Sequence, residues 1–204
     1  MEREINPEIA YILGALRDAT ADVRKGKNYE IKIAQKETSW IQFLQKLFER
    51  NFGVSGNITS HVNGTQILRI NGKEFVNEIL EISEMKIPQE HWNTPSIMKK
   101  QPLEIQKYYI RGFFDAEGGL PKDPKNAKQK YLSFSQKNMD SLKFVREVLM
   151  RIGLNPTNIT FCGNVWEFRL TRKREFPIFY KTINSWHKDR KSRLEVLCNG
   201  ITFP

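Results

Sequence analysis

The sequence predicts an α+β protein built from two pseudo-symmetric αββαββα repeats, whose strands form a β-sheet saddle. The first observation is that similar segments recur in the same order, about 100 residues apart. The second is that apolar residues in each copy follow strand-like alternation in some segments and helical spacing in others. The third is that 39% of the 204 residues are hydrophobic, which is enough for a buried core. We expect residues 1–97 to form the first repeat and residues 98–204 the second, with a C-terminal tail. Tandem domains without a shared site are the alternative.

Each repeat opens with an apolar helix whose first turn contains proline, Pro7 in the first copy and Pro102 in the second. Proline suits this position because its missing N–H would have no helical partner there. A basic connector follows each helix, at residues 24–27 and 122–130. The matching order of helix and connector indicates that the two copies share one local structure.

Alternating strands and amphipathic helices complete each repeat. In the first copy Ile31 and Ile33 alternate with Glu30 and Lys32, so one face of the strand is predicted to be buried and the other open to a ligand. Both copies then enter an amphipathic helix that ends at a glycine. Further equivalent positions are the strand ends Gln35-Lys36 and Gln136-Lys137, the segments Asn57-Ile58-Thr59 and Asn158-Ile159-Thr160, and the helix starts near Phe75 and Phe176.

The second opening helix carries a recognisable nine-residue run, Ile110-Arg111-Gly112-Phe113-Phe114-Asp115-Ala116-Glu117-Gly118. This run resembles the LAGLIDADG motif of homing endonucleases and their maturase relatives, with Glu117 in the acidic eighth place. The repeat order and the Gln-Lys strand ends extend the resemblance to about residues 5 to 185. Small residues four apart, Gly112 and Ala116, would let two such helices cross closely, with Gly14 and Ala15 on the partner helix.

The first opening helix departs from this pattern. Aligned on Gly14, its motif places Ala19 in the eighth slot and Asp18 one residue early. One residue is a rotation of about 100°, which aims the carboxylate away from the axis unless the last turn is tightened or unwound. Asp18 is the favoured acid of this half; the alternative is an exposed aspartate in a degenerate half.

The resemblance implies a metal-dependent site at the helix crossing. Asp18 and Glu117 would share Mg²⁺ or Mn²⁺ with scissile phosphates, and a carboxylate at a helix C-terminus favours such a cation. By position, four strand-end residues would arrange water and neutralise charge during phosphodiester hydrolysis: Gln35, Lys36, Gln136 and Lys137.

The charge balance indicates a polyanionic partner. The chain has 33 Lys and Arg against 23 Asp and Glu, a net charge of +10, although a membrane surface or no partner also fits such a balance. Base-edge candidates on open strand faces are Glu30, Lys32, Arg69, Glu167 and Arg169. Phosphate candidates are Arg24, Lys25, Lys27, Lys125, Lys128 and Lys130. No chemistry is assigned to the histidines, His61, His91 and His187, because they lack ligand spacing.

These features predict a site-specific endonuclease that cuts double-stranded DNA as a monomer with internal pseudo-twofold symmetry. The competing hypothesis is a catalytically degenerate relative that binds nucleic acid or acts as an RNA-splicing maturase, in which case RNA is a partner. No apolar run approaches the roughly 20 residues of a membrane span, and the first residues lack a signal-peptide pattern, so we expect a cytoplasmic protein. The termini lack intein splice-junction residues, which favours a free-standing chain.

Overall fold

The computed structural model describes residues 3–24, 28–87 and 92–199. Within these ranges lie two four-stranded sheets, each packed on one face against helices. The first half contains α1 (Pro7–Ala15), a 3₁₀ turn (Leu16–Asp18), β1 (Ala19–Arg24), β2 (Asn28–Gln35), α2 (Thr38–Phe52), β3 (Asn57–Ser60), β4 (Gln66–Asn71) and α3 (Lys73–Ser83).

The second half repeats this order. It contains α4 (Ser96–Lys99), α5 (Leu103–Glu117), β5 (Gly118–Gly119), β6 (Leu132–Gln136), α6 (Met139–Arg151), β7 (Thr160–Cys162), β8 (Val165–Leu170), α7 (Glu175–Thr182) and α8 (Lys188–Cys198). The predicted α+β class and the αββαββα order are confirmed. Helix α8 differs from the prediction, which expected a C-terminal tail in this segment. The boundary at residues 97 and 98 falls inside α4 and remains a prediction. Within the described ranges, every helix is too short or too polar for a membrane span.

The two sheets have the same strand order, β1-β2-β4-β3 and β5-β6-β8-β7, and every pairing is antiparallel. Ala19 pairs with Ile33 in the first sheet, and Gly118 pairs with Phe134 in the second. The residues just before these strands, Asp18 and Glu117, therefore occupy equivalent places. The sheet register thus makes Asp18, and not Ala19, the counterpart of Glu117.

Strand alternation separates a core face from an open face in each sheet. Ile31 and Ile33 are fully buried under the helices, and Phe134 and Phe168 stack in the second core with ring centroids 5.1 Å apart. Lys32 alternates with these buried residues and lies opposite Arg69 in the register. One face of each sheet is therefore available to a ligand, as predicted.

Helices α1 and α5 cross at the centre of the molecule with their backbones in contact. A Cβ atom added to Gly14 would lie 2.6 Å from the amide nitrogen of Phe113, and one added to Gly112 would lie 2.9 Å from that of Ala15. Only glycine permits this approach, because both neighbours are backbone atoms. The predicted crossing through Gly14, Ala15 and Gly112 is confirmed; Ala116 is buried beside it.

Candidate active site

Two acidic side chains lie together where the crossing helices end. Asp18 closes the 3₁₀ turn and Glu117 closes α5, and both are partly buried. Burial raises the pKa of the Asp18 carboxyl to about 6. Burial also raises the pKa of Glu117 to about 7, and the nearby negative charge of Asp18 adds to that increase. The Asp18 and Glu117 carboxyls therefore interact electrostatically, and their role as a metal-binding pair remains a prediction.

The 3₁₀ turn explains how Asp18 reaches this place from a motif that is one residue short. From Gly14, one α-helical step and three 3₁₀ steps advance about 7.5 Å, the same as the five α-helical steps from Gly112 to Glu117. The two paths differ in rotation by about 40°, not by the roughly 100° of a full missing residue. Ala19 instead begins β1 and is buried. The tightened turn thus compensates for the missing residue.

Two arginines that belong to no predicted site approach the acidic pair. Arg190, on α8, donates a hydrogen bond to the carbonyl oxygen of Ala116 at 3.2 Å. Its positive charge lowers the pKa of both acids, and the charge of Arg17 lowers that of Glu117, so both oppose the larger effect of burial. The only sequence signal for Arg190 is the basic run between residues 188 and 193, which lies outside the motif.

The strand-end pairs take different roles in the two halves. Gln35 donates a hydrogen bond from Nε2 to the Asp18 carboxylate, whereas the Gln136 side-chain oxygen accepts one from the Lys137 backbone at 2.8 Å. Lys36 and Lys137 are exposed. Gln35 and Lys36 line a cavity of about 300 Å³ beside α8, and Gln136 and Lys137 line one of about 150 Å³ on the other side. Gln35 therefore contacts Asp18, whereas Lys36 and Lys137 are exposed residues that line the two cavities.

The carboxylate oxygens at the helix ends fit a divalent ion whose remaining ligands would come from the substrate. Within the described ranges, no three His, Cys, Asp or Glu side chains form a cluster able to hold a metal ion. Asp18 and Glu117 supply hard carboxylate oxygens, and Mg²⁺ is commonly held by one or two carboxylates together with substrate phosphates. Such an ion would also relieve the repulsion between the two acids.

The base-edge candidates lie on the open sheet faces, where they are joined by ion pairs. The Glu30 carboxylate accepts from Lys32 at 2.9 Å and from Arg69 at 3.2 Å, and it is only 6% exposed. Arg169 Nε donates to Glu167 at 2.6 Å. Two cations therefore cover the Glu30 carboxylate, and its role as a base-edge contact remains a prediction.

The phosphate candidates within the described ranges lie at strand ends and in a loop. Arg24 is exposed and pairs with Asp22 at 3.1 Å. Lys125 and Lys128 are exposed, and Lys130 is partly buried in the same loop. Lys25 and Lys27 lie outside the described residues.

Two of the three histidines lie within the described residues. His187 is buried, and its Nδ1 accepts from the Arg190 amide at 3.5 Å, so it caps α8. Burial lowers its pKa to about 4. His61 is exposed in the turn after β3. His91 lies outside the described residues.

Comparisons with known proteins agree with this geometry. A family model of the LAGLIDADG-like domain matches residues 104–184. The chain is 29% identical over 196 residues to the homing endonuclease I-ApeI of Aeropyrum pernix, which covers 92% of this chain and 85% of that protein. It resembles the crystal structure of I-DmoI with DNA and Ca at a TM-score of 0.69 and 21% identity, over 95% of this chain and 99% of that one. The structure of I-DmoI with DNA and Mn gives a TM-score of 0.66 and 22% identity, over 88% and 97% of the two chains. The chain is therefore similar to LAGLIDADG proteins in its second motif, in its paired motif helices and along both repeats.

Proposed function

We propose that this protein is a site-specific endonuclease that hydrolyses phosphodiester bonds in both strands of double-stranded DNA with a divalent metal ion. The observation that carries the proposal is that Asp18 and Glu117 occupy equivalent places at the ends of two helices that cross with their backbones in contact. The relative I-ApeI is named a homing endonuclease, and I-DmoI is seen in complex with DNA and metal ions. These names support the same reaction class for this chain.

The acids would hold the ion, and the surrounding side chains would prepare them for it. When bound, Mg²⁺ or Mn²⁺ stabilises charge on the scissile phosphate and lowers the pKa of an attacking water. Gln35 orients the Asp18 carboxylate through its hydrogen bond. Gln136, Lys36 and Lys137 line the two cavities, where they would position water and neutralise phosphate charge.

The open sheet faces are proposed to bind the DNA duplex. A two-stranded antiparallel ribbon fits the major groove, and β2 with β4 presents Lys32 and Arg69 side by side on such a ribbon. The exposed loop cations Lys125 and Lys128 would contact phosphates. Because Glu30 is held by Lys32 and Arg69, those ion pairs must open before the carboxylate can read a base.

The degenerate binding factor and the maturase remain the alternative, and they lack a specific supporting observation. Their main argument is the absence of an acid at Ala19, and the tightened turn that ends at Asp18 supports the endonuclease instead. Monomeric action, the repeat boundary, a free-standing chain, a cytoplasmic location and the choice of Mg²⁺ or Mn²⁺ all stay predictions.

The test is metal-dependent cleavage of a selected target. A DNA library is first selected for binding, and the bound sequence is then incubated with the protein and Mg²⁺, Mn²⁺ or a chelator. We expect cleavage with either ion and none with the chelator. Glu117→Gln should abolish cleavage and keep DNA affinity, whereas Glu104→Gln, which changes an exposed acid on the same helix, should cut normally. Tight, specific binding without cleavage under every condition would contradict the proposal.

A further inference from the structure

Two charged side chains occupy equivalent places in the motif helices and are withdrawn from solvent. Arg17 lies three residues after Gly14, and Asp115 lies three residues after Gly112. Their exposed fractions are 6% and 0%. Because burying a charge is unfavourable unless several hydrogen bonds compensate, each must be held by a built set of partners.

The partners of Arg17 come from both halves of the molecule. Its guanidinium donates to the carbonyl oxygens of Trp92 at 2.6 Å and of Asn93 at 2.8 Å. It also donates to the hydroxyl oxygens of Tyr109 at 2.7 Å and of Ser141 at 3.1 Å. Arg17 therefore ties the segment that follows α3 to helices α5 and α6.

The partners of Asp115 repeat this arrangement with the opposite charge. Its carboxylate accepts from the Tyr11 hydroxyl at 2.6 Å and from the Ser185 hydroxyl. It also accepts from the backbone amides of Trp186 at 2.8 Å and of His187 at 3.2 Å. Asp115 therefore ties the segment that follows α7 to helix α1.

The two sets are related by the pseudo-symmetry of the repeats. Tyr11 lies three residues before Gly14, and Tyr109 lies three residues before Gly112, so the tyrosines are equivalent. Arg17 joins the segment after α3 of its own repeat to the tyrosine of the other repeat, and Asp115 does the same with the segment after α7. The charges differ because one segment presents carbonyl oxygens and the other presents amide hydrogens.

We infer that Arg17 and Asp115 are positioning residues that fix the last turns of the two motif helices, and that Arg17 keeps the turn carrying Asp18 tightened. Arg17 is the middle residue of the 3₁₀ turn and directly precedes Asp18. Asp115 is in the last turn of α5 and also fixes the segment leading into α8, which carries Arg190. The inference rests on the proposed function for its catalytic meaning, and its structural content stands without it.

Hydrogen exchange tests whether Arg17 and Asp115 hold these segments in place, and it requires no cleavage reaction. In Arg17→Met, amides of residues 14–20 should exchange on the order of tenfold faster or more, because several hydrogen bonds to a charged group are lost. Residues 132–136 should be unchanged, and Arg17→Lys should recover part of the protection and serve if the methionine variant does not fold. Asp115→Asn should loosen residues 184–190 instead. The control is Val76→Ala, a buried truncation in α3 that weakens the fold away from the turn.

Cleavage rates measured separately for each DNA strand then test whether Arg17 positions Asp18 for catalysis. Arg17→Met should slow cutting of the strand that is lost in Asp18→Asn by about a hundredfold, with DNA affinity kept, as expected for a displacement near 1 Å. Val76→Ala should leave the ratio of the two strand rates unchanged. Unchanged exchange at residues 14–20, or equal slowing of both strands, would overturn the positioning role. A wild-type protein that binds DNA without cutting would count against the proposed function alone, because the exchange result is independent of cleavage.

Discussion

Replacing Gly112 with alanine should push the two motif helices apart. The added Cβ would collide with the carbonyl oxygen of Tyr11 and lie 2.9 Å from the amide nitrogen of Ala15, and neither backbone atom can rotate away. Ordinary van der Waals contact begins at 3.4 Å, so α1 and α5 must separate by about 1 Å or more. We expect the free energy of unfolding to fall by about 3 kcal/mol, the upper end of the range for overpacked cores.

The same substitution should impair catalysis through geometry. Asp18 and Glu117 terminate the two helices that are forced apart, so the distance between their carboxylates changes with the helix separation. A misplacement of about 1 Å reduces rates by roughly a hundredfold. The cleavage rate of Gly112→Ala should therefore fall by about that factor even at a temperature where the variant is folded.

Urea unfolding and plasmid cleavage measure the two effects, with Gly53→Ala as the matched control. Gly53 ends α2 with a φ of 66°, and an added Cβ there meets nothing within 4 Å. Its substitution reports the strain of a positive φ alone, roughly 1 kcal/mol, with normal cleavage. If Gly112→Ala lost no more stability than Gly53→Ala and cut at the wild-type rate, the close helix crossing would be wrong.

Three further outcomes follow from charge and burial. DNA affinity should fall roughly a thousandfold between about 50 and 200 mM salt if about six phosphates are neutralised, and a salt-independent dissociation constant would argue against the open faces as the binding surface. In competition binding, Lys125→Ala should weaken all sequences alike while Arg169→Ala relaxes preference at a few positions; the reverse pattern would exchange their assigned roles. Burial raises the pKa of Glu117 to about 7, so the folded protein holds this proton more tightly than the unfolded chain, and its contribution to stability is lost as pH rises from about 4.5 to about 7. The free energy of unfolding, measured with urea in metal-free buffer, should fall between pH 5 and pH 8 in the wild type. In Glu117→Gln this decrease should be about 2 kcal/mol smaller, and equal decreases would contradict the buried acid pair.

The repeated architecture was predictable from the sequence because local patterns determine it. The alternation around Ile31 and Ile33, the proline-led helices and the recurring Gln-Lys strand ends each correspond to an observed element. The close approach at Gly14 and Gly112 also followed from residue size alone. These signals are local or recur at one fixed interval, so they do not depend on knowing the tertiary contacts.

The details of the site were not predictable because they depend on contacts between distant segments. The 3₁₀ turn at Asp18 is held by Arg17, whose partners Trp92 and Ser141 lie 75 and 124 residues away in the chain. Arg190 reaches the acids from a helix in a segment expected to be a tail. The ion pair between Glu30 and Arg69 joins two different strands, so it also depends on the tertiary structure. Sequence spacing reveals none of these pairings.

The most direct test of the account is the strand-resolved cleavage of a supercoiled plasmid by the wild type and Asp18→Asn, with Mg²⁺ and a bound target site. If Asp18 is the counterpart of Glu117, the wild type should linearise the plasmid, and Asp18→Asn should give nicked circles or no product while binding the target equally well. If Asp18→Asn linearised the plasmid at the wild-type rate, the tightened turn would not place a second acid in the site and the central claim would be wrong.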